Sequence, residues 1–285
     1  MASASLSTPT ERLRPAEDGL VYGLQPPKRA GFRISDHPLI LQIAAGAIFL
    51  GAWEVYGRSL NPIFLASPTA IAGAFVETIV DGELLAALIK SLQGLAIGFA
   101  LAVVVGIGLG VLMGRYKSVN HVCEPFITIF YATPSVALIP LIMLWFGLGL
   151  NAKIVIIFES CFFPIVINTH AGVRNVSRAT VDVVRAYGAT DRQIMTKVVL
   201  PSAVPFVMAG IRLAVGRGVI GMVVAEFFTA LSGLGSMIIV YSNAFNTAKL
   251  FVPVITIALM GLVLTNLAKA LEQRMAPWKE SERAD

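Results

Sequence analysis

Charge is what this chain has least of. Asp, Glu, Lys and Arg make up 14% of its 285 residues, against about 25% in an ordinary soluble domain. Apolar residues reach 56%, and mean hydropathy is +0.77. Histidine and cysteine are scarce too. His37, His121 and His170 stand apart with no acid or cysteine cluster beside them, and Cys123 and Cys161 fall near or within apolar stretches. That scatter argues against a metal site, a disulfide framework and a clustered catalytic centre. The cysteines read as small buried hydrophobes, the histidines as interfacial. None of the eight lysines follows a glycine, so the Gly-Lys-Ser/Thr step of a phosphate-binding loop is missing. The segment GVLMGRYKS at 110–118 has the wrong spacing for one. The chain is therefore expected to be no enzyme and to bind no cofactor itself. Residues 1–37 are polar and lack the apolar core of a secretory signal; a flexible tail is expected there.

What the chain has is long apolar runs. About six windows approach the 20 residues needed to cross a hydrocarbon core about 30 Å thick: residues 39–56, 92–113, 126–148, 154–169, 206–229 and 251–271. Backbone in lipid must satisfy its own hydrogen bonds, so these windows read as helices, and the fold class is an all-α polytopic membrane protein. Outer-membrane strands would show about ten-residue alternating segments instead. The third window contains Pro134 and Pro140 and is expected to be kinked or broken. Residues 231–249, with SGLG and a short apolar run at 237–241, read as a loop with a short interfacial helix. The domain plan is a tail over 1–37, a transmembrane domain over 38–272 and a second tail over 273–285.

With the N-terminus inside, 16 Lys and Arg residues fall on the inner side and four on the outer: Arg58, Lys90, Lys153 and Lys249. The positive-inside rule thus places both termini in the cytoplasm. This bias accounts for the net charge of +5 without nucleic acid.

The second window carries small residues at every fourth position: Gly94, Gly98, Ala102, Gly106, Gly110 and Gly114. Such a stripe lets another helix approach closely, for packing, for a dimer face or for a surface that slides during transport. Charges inside spans are costly and informative. They are Glu54, Glu159, Arg212, Arg217 and Glu226. At 1.5 Å per residue, Arg217 and Glu159 reach similar depth, so an internal ion pair between them is expected, with Arg217 meeting an anionic solute as the alternative; Glu226 points the other way, near the outer face. Thr133, Pro134 and Ser135 interrupt the third window where a water-filled path would tolerate it. The candidate pathway residues are Thr133, Pro134, Ser135, Glu159, Arg217 and Glu226.

The inner loop, about 171–201, is long, basic and amphipathic. Val173, Val176, Val184 and Tyr187 suggest one apolar helical face. Gly188 ends that helix. Thr190 and Gln193 form a capping box for a second short helix leading to Pro201, and Pro205 precedes the fifth window. From the residues alone, the loop grips either another protein or anionic lipid.

Gly188, nine residues, then Val198-Val199-Leu200-Pro201 resembles the cytoplasmic loop of ABC importer permeases, whose pattern is Glu-Ala-Ala, three residues, Gly, nine residues, Ile-x-Leu-Pro. Asp182, Val183 and Val184 stand at the Glu-Ala-Ala positions, so both alanines are replaced. ATPSVALIPLIMLWFGLGLNAKI and GIRLAVGRGVIGMVVAE followed by SGLG resemble the nitrate/sulfonate/taurine/bicarbonate branch, over about 230 residues in all. The resemblance implies the type I importer permease fold in a bacterial inner membrane. It implies a second permease copy, two ATPase subunits carrying ATP and Mg, a periplasmic solute-binding protein, and import by alternating access of a small solute such as a sulfonate, nitrate or bicarbonate. It assigns Asp182, Val183, Val184, Arg185, Ala186, Tyr187, Gly188, Ala189, Thr190, Leu200 and Pro201 to ATPase coupling. The competing reading is a self-sufficient channel or ion-coupled transporter; the inverted repeats common there are not evident.

Overall fold

The structure is a computed structural model and describes residues 38–229 and 232–276. The expected N-terminal tail and most of the C-terminal one lie outside the described residues. By internal contacts the chain divides into Met1–Phe49 and Leu50–Asp285. The described part of the first unit, residues 38–49, is apolar helix. All described regular structure is helical.

Helix α1 (Pro38–Ser59) is followed by a short loop and α2 (Pro68–Val80). The sequence reading did not foresee α2, which is too short to span. Its start is well specified. Ser67 caps it by accepting from the Ala70 N–H, and Pro68 supplies a preset φ in the first turn. Glu54 on α1 accepts from the Thr69 N–H and hydroxyl at 3.0 and 2.7 Å, so this expected intramembrane charge instead secures the start of α2.

Helix α3 (Glu83–Arg115) runs 33 residues, about 50 Å, well beyond the expected window. An acid opens it and a base closes it, as the helix dipole favours. Helices α4 (Lys117–Ala132) and α5 (Ser135–Phe146) form the third window, but they bend by 103° across Thr133-Pro134. This is a break rather than a kink. Pro134 cannot donate to the preceding turn and disfavours the helical region at Thr133, which sits at φ −75°, ψ 130°. Helix α6 (Leu150–Arg174) follows. Then come the inner helices α7 (Arg178–Ala186) and α8 (Asp191–Ile194), a π-helical turn Met195–Val199, and α9 (Leu200–Thr229). Helices α10 (Leu234–Asn243) and α11 (Thr247–Met275) end the described chain. Among the described residues five helices are long and apolar enough to cross a membrane, or six if α4 and α5 count as one broken span.

Two expectations about these boundaries need correction. The second loop helix does not stop at Pro201: helix continues from Asp191 to Thr229, with a π turn absorbing the register change before Pro201. Pro201 lies inside this continuous helix just after the π turn, which takes up its absent N–H. Helix α10 starts ahead of the expected short apolar run at 237–241, and its Leu234, Met237 and Tyr241 are buried against α2, α3 and α11.

Helix α6 is the centre of the bundle. Parallel to it, α3 presents the small-residue stripe. A Cβ at Gly98 would meet Ile157, one at Gly106 Ile165, one at Gly110 Thr169 and one at Gly114 Val173. Each step of four on α3 matches a step of four on α6, so the two helices interlock in constant register over their length. On the other side α9 runs antiparallel, with Gly210, Gly218 and Gly221 against Asn168, Cys161 and Ser160. Cys161 is fully buried here and behaves as the small hydrophobe expected.

The stripe yields a comparison within one helix. A Cβ at Gly110 would sit 2.6 Å from Thr169 Cβ and 2.9 Å from the Val166 carbonyl oxygen, whereas one at Gly108 meets nothing within 4 Å. Gly110→Ala is expected to destabilise by about 1–3 kcal/mol, and Gly108→Ala to be neutral or slightly stabilising. Thermal unfolding of the two purified variants checks this.

Candidate functional site

Three groups of side chains carry the candidate chemistry. The first surrounds a cavity of about 320 Å³ lined by Ser135, Ile139, Ile156, Ser160, Arg217 and Val224, among others. The α4–α5 break places Ser135 at its edge, and α9 brings Arg217. The expected Arg217–Glu159 ion pair is not made. Arg217 Nη2 donates to the Tyr131 hydroxyl at 3.1 Å, with its guanidinium 4.9 Å from the ring centroid. Glu159 instead accepts from Ser135 Oγ at 3.0 Å. The two charges still interact electrostatically, but the aromatic ring holds the guanidinium. Thr133 is not part of this lining: its hydroxyl donates back to the Ile129 carbonyl at 2.9 Å and finishes α4. Pro134 opens α5.

The second group corrects the placing of Glu226 on the pathway. Its side chain is fully buried and belongs to a separate, closed cluster. Lys153 Nζ reaches it at 2.5 Å, Ser91 Oγ donates to it at 2.7 Å and the Gly235 N–H at 2.7 Å. Ser91 also accepts from the Leu234 N–H, and Lys153 donates to the Lys90 carbonyl at 2.9 Å. Helices α3, α6, α9 and α10 all meet at this carboxylate. Three glycines make the room. A Cβ at Gly94 would strike the Lys153 stem, and Cβ atoms at Gly233 and Gly235 would strike Glu226 itself. Gly233 also needs its φ of +110°. The SGLG segment is thus a cradle for a buried acid. Lys153 had been assigned to the outer surface from sequence. The available signal was an unpaired base and an unpaired acid near the outer ends of consecutive long spans.

The third group is the inner loop. Val181 and Val184 of α7 pack with Val173, Ile194 and Val199. Tyr187 does not join this apolar face as expected: it is 90% exposed, and Val183 is 56% exposed. Asp182 and Arg185 face solvent beside them, 3.8 Å apart, and Arg185 also lies 3.5 Å from Asp191. Gly188 has φ +85°. Its N–H reaches the Arg185 carbonyl and that of Ala189 reaches Val184, the Schellman ending that favours glycine. Thr190 and Gln193 make the expected capping box. Leu200 and Pro201 open α9. Ala186 ends α7, and the Tyr187–Gly188 turn projects from the bundle.

Residues 102–277 match the family described as "Binding-protein-dependent transport system inner membrane component". The chain belongs to this family. It is 33% identical over 237 residues to the putative aliphatic sulfonates transport permease protein SsuC of Bacillus subtilis, covering 82% of this chain and 86% of that one. It is 29% identical over 245 residues to the taurine transport system permease protein TauC of Escherichia coli, covering 84% and 89%. The inward-facing MetNI methionine ABC transporter structure shares its fold, with a TM-score of 0.53 at 19% identity over 67% of this chain and 95% of that one. The expected ABC importer permease, of the sulfonate and taurine branch, is therefore confirmed, and so is the type I permease fold. The permease is a non-catalytic subunit; ATP hydrolysis belongs to a separate chain.

Two outcomes test these assignments. Glu226→Gln leaves the Lys153 ammonium buried without a counter-charge and is expected to cost about 3–5 kcal/mol, read as a lowered melting temperature. Lys153→Met in the same chain should recover part of it. At the inner loop, a Cβ on Gly188 would meet no atom within 4 Å, although the φ of +85° strains any side chain there; Gly188→Ala carries the same strain and controls for it. Gly188→Asp is expected to remain membrane-inserted and to lose co-purification of the ATPase subunit; undiminished recovery would refute the coupling role.

Proposed function

We propose that two copies of this permease form a homodimer in a bacterial inner membrane, with both termini in the cytoplasm, and import a small organic or inorganic anion by alternating access. The solute-binding protein delivers the anion outside. Two ATPase subunits, carrying ATP and Mg, engage Asp182–Thr190 inside. Closure of the ATPases on ATP pulls on α7 and the Gly188 turn. Because helix continues from Asp191 to Thr229, movement of α8 is transmitted directly to α9, which carries Arg217.

The observation that carries this reading is Arg217. It is exposed on the surface of a single chain, and it sits between two fixed levels of α9. Arg212 pairs with Glu272 at 3.2 Å near the inner end of α11, and Glu226 marks the outer end. By helical rise, Arg217 is about 7.5 Å outward of Arg212. A guanidinium facing lipid within a span is costly. In this reading a second copy or a water-filled path covers it, and Ser135 and Ser160 supply polar lining beside it. The sulfonate and taurine permeases among the relatives support an anion as solute. Family membership does not favour a self-sufficient channel or ion-coupled transporter.

Uptake of radiolabelled methanesulfonate and taurine by cells carrying the complete transporter tests the reading. Arg217→Gln is expected to lower uptake by about tenfold or more, and Arg217→Lys, which keeps the charge but not the fork, by less. Equal uptake by wild type and Arg217→Gln would refute an anion contact at this residue.

A further inference from the structure

Tyr131 has no place in the function proposed above, yet it makes the closest described contacts of the Arg217 guanidinium. It lies in the last turn of α4, two residues before the break at Thr133. Its ring packs against Phe163 of α6 at 6.1 Å between centroids, and its face and hydroxyl both address Arg217 on α9. Across the break, Ser135 is the first residue of α5 and is tied to Glu159 of α6. Beside the break the two arms are thus held differently: α5 by a hydrogen bond to α6, and α4 by apolar packing on α3 and α6 together with the contact of Tyr131 to Arg217.

Resting on the anion-importer reading, we propose that Tyr131 is a positioning residue that holds Arg217 while the cavity is empty. An incoming anion takes the guanidinium from it and so frees the last turn of α4 at the break. The exchange is favourable in direction. A phenol hydroxyl and an aromatic face are weak, neutral partners for a guanidinium. A sulfonate or carboxylate accepts two parallel, charge-assisted hydrogen bonds from the same fork. Solute occupancy is thereby converted into release of a helix end. The Ser135–Glu159 hydrogen bond keeps α5 tied to α6, so the released segment is the last turn of α4 beside the break; the rest of α4 stays packed on α3 and α6 through Ile127 and Cys123. Glu159 lies near enough to act on Arg217 electrostatically. It opposes permanent capture of the anion, as a site that must release its solute requires.

The test uses the complete permease–ATPase complex in lipid nanodiscs, without binding protein, and reads basal ATPase activity. Releasing the latch should mimic solute. Tyr131→Phe removes only the hydroxyl and should raise basal activity about threefold. Tyr131→Leu also removes the aromatic face and should raise it about tenfold. Arg217→Met should match Tyr131→Leu, and the double variant should be no more active than either single one, because one contact is being broken. Unchanged activity in Tyr131→Phe, whose ring still packs on Phe163, would overturn the proposal even if Tyr131→Leu fails to assemble. Multiplying effects in the double variant would also overturn it. The anion reading is judged separately, by uptake through wild type and Arg217→Gln in cells carrying the complete transporter. The solute-free comparison of single and double variants then still decides whether Tyr131 latches Arg217.

Discussion

Everything in this bundle is placed relative to α6, and α6 is held by backbones that come close on both sides. Lipid offers little hydrophobic force for bringing apolar helices together, so their association depends on close packing and internal polar contacts. Glycine and alanine on α3 let that helix settle into the ridges of α6 in unbroken register. Glycines on α9 do the same from the opposite face. Side chains at these positions would hold the helices apart and reduce the packing that replaces hydrophobic drive. The consequence is a stiff three-helix centre around which α4, α5 and the inner loop are arranged.

The buried Glu226 cluster closes that centre at its outer end. A carboxylate and an ammonium removed from water are stabilised only if their remaining hydrogen-bonding capacity is met. Here Ser91, the Gly235 N–H and the Lys90 carbonyl meet much of it. The pair contributes geometry more than net stability, since it fixes α10 and the SGLG cradle against three long helices at one point. At the inner end the arrangement is the reverse. The α7–α8 turn is exposed, bears unsheltered Val183 and Tyr187, and is continuous with α9. One end of the bundle is locked and the other is exposed and continuous with α9.

Between the ends lies the broken third span. A proline at 134 with no N–H, preceded by a threonine in extended conformation, produces a 103° bend. The polar residues beside the bend are placed by it: Ser135 reaches Glu159 and Tyr131 reaches Arg217. Polar side chains at membrane depth are acceptable here because each finds a partner or borders the cavity.

Much of this was legible in the residues. The apolar windows, the Gly188 turn, the Thr190–Gln193 capping box, the Pro134 interruption and the four-residue glycine spacing all follow from local chemistry, and each stands in the structure as helix, cap, break or packing stripe. Partnerships were not legible. Depth along a helix can be counted, but the direction a side chain faces depends on helix rotation and on what packs against it. Depth alone therefore paired Arg217 with Glu159, where rotation about α9 and the bend before α5 gave Arg217 to Tyr131 and Glu159 to Ser135. The same limit hid Lys153 from Glu226, since a lysine at a span's outer end looks solvent-facing until Gly94 on a neighbouring helix makes room for its stem. Sequence by itself determined the long apolar helices, the break at Pro134 and which faces are small. Only the tertiary structure decided which charges meet, because a buried charge takes its partner from the helix packed against it, and that neighbour is chosen by the fold as a whole.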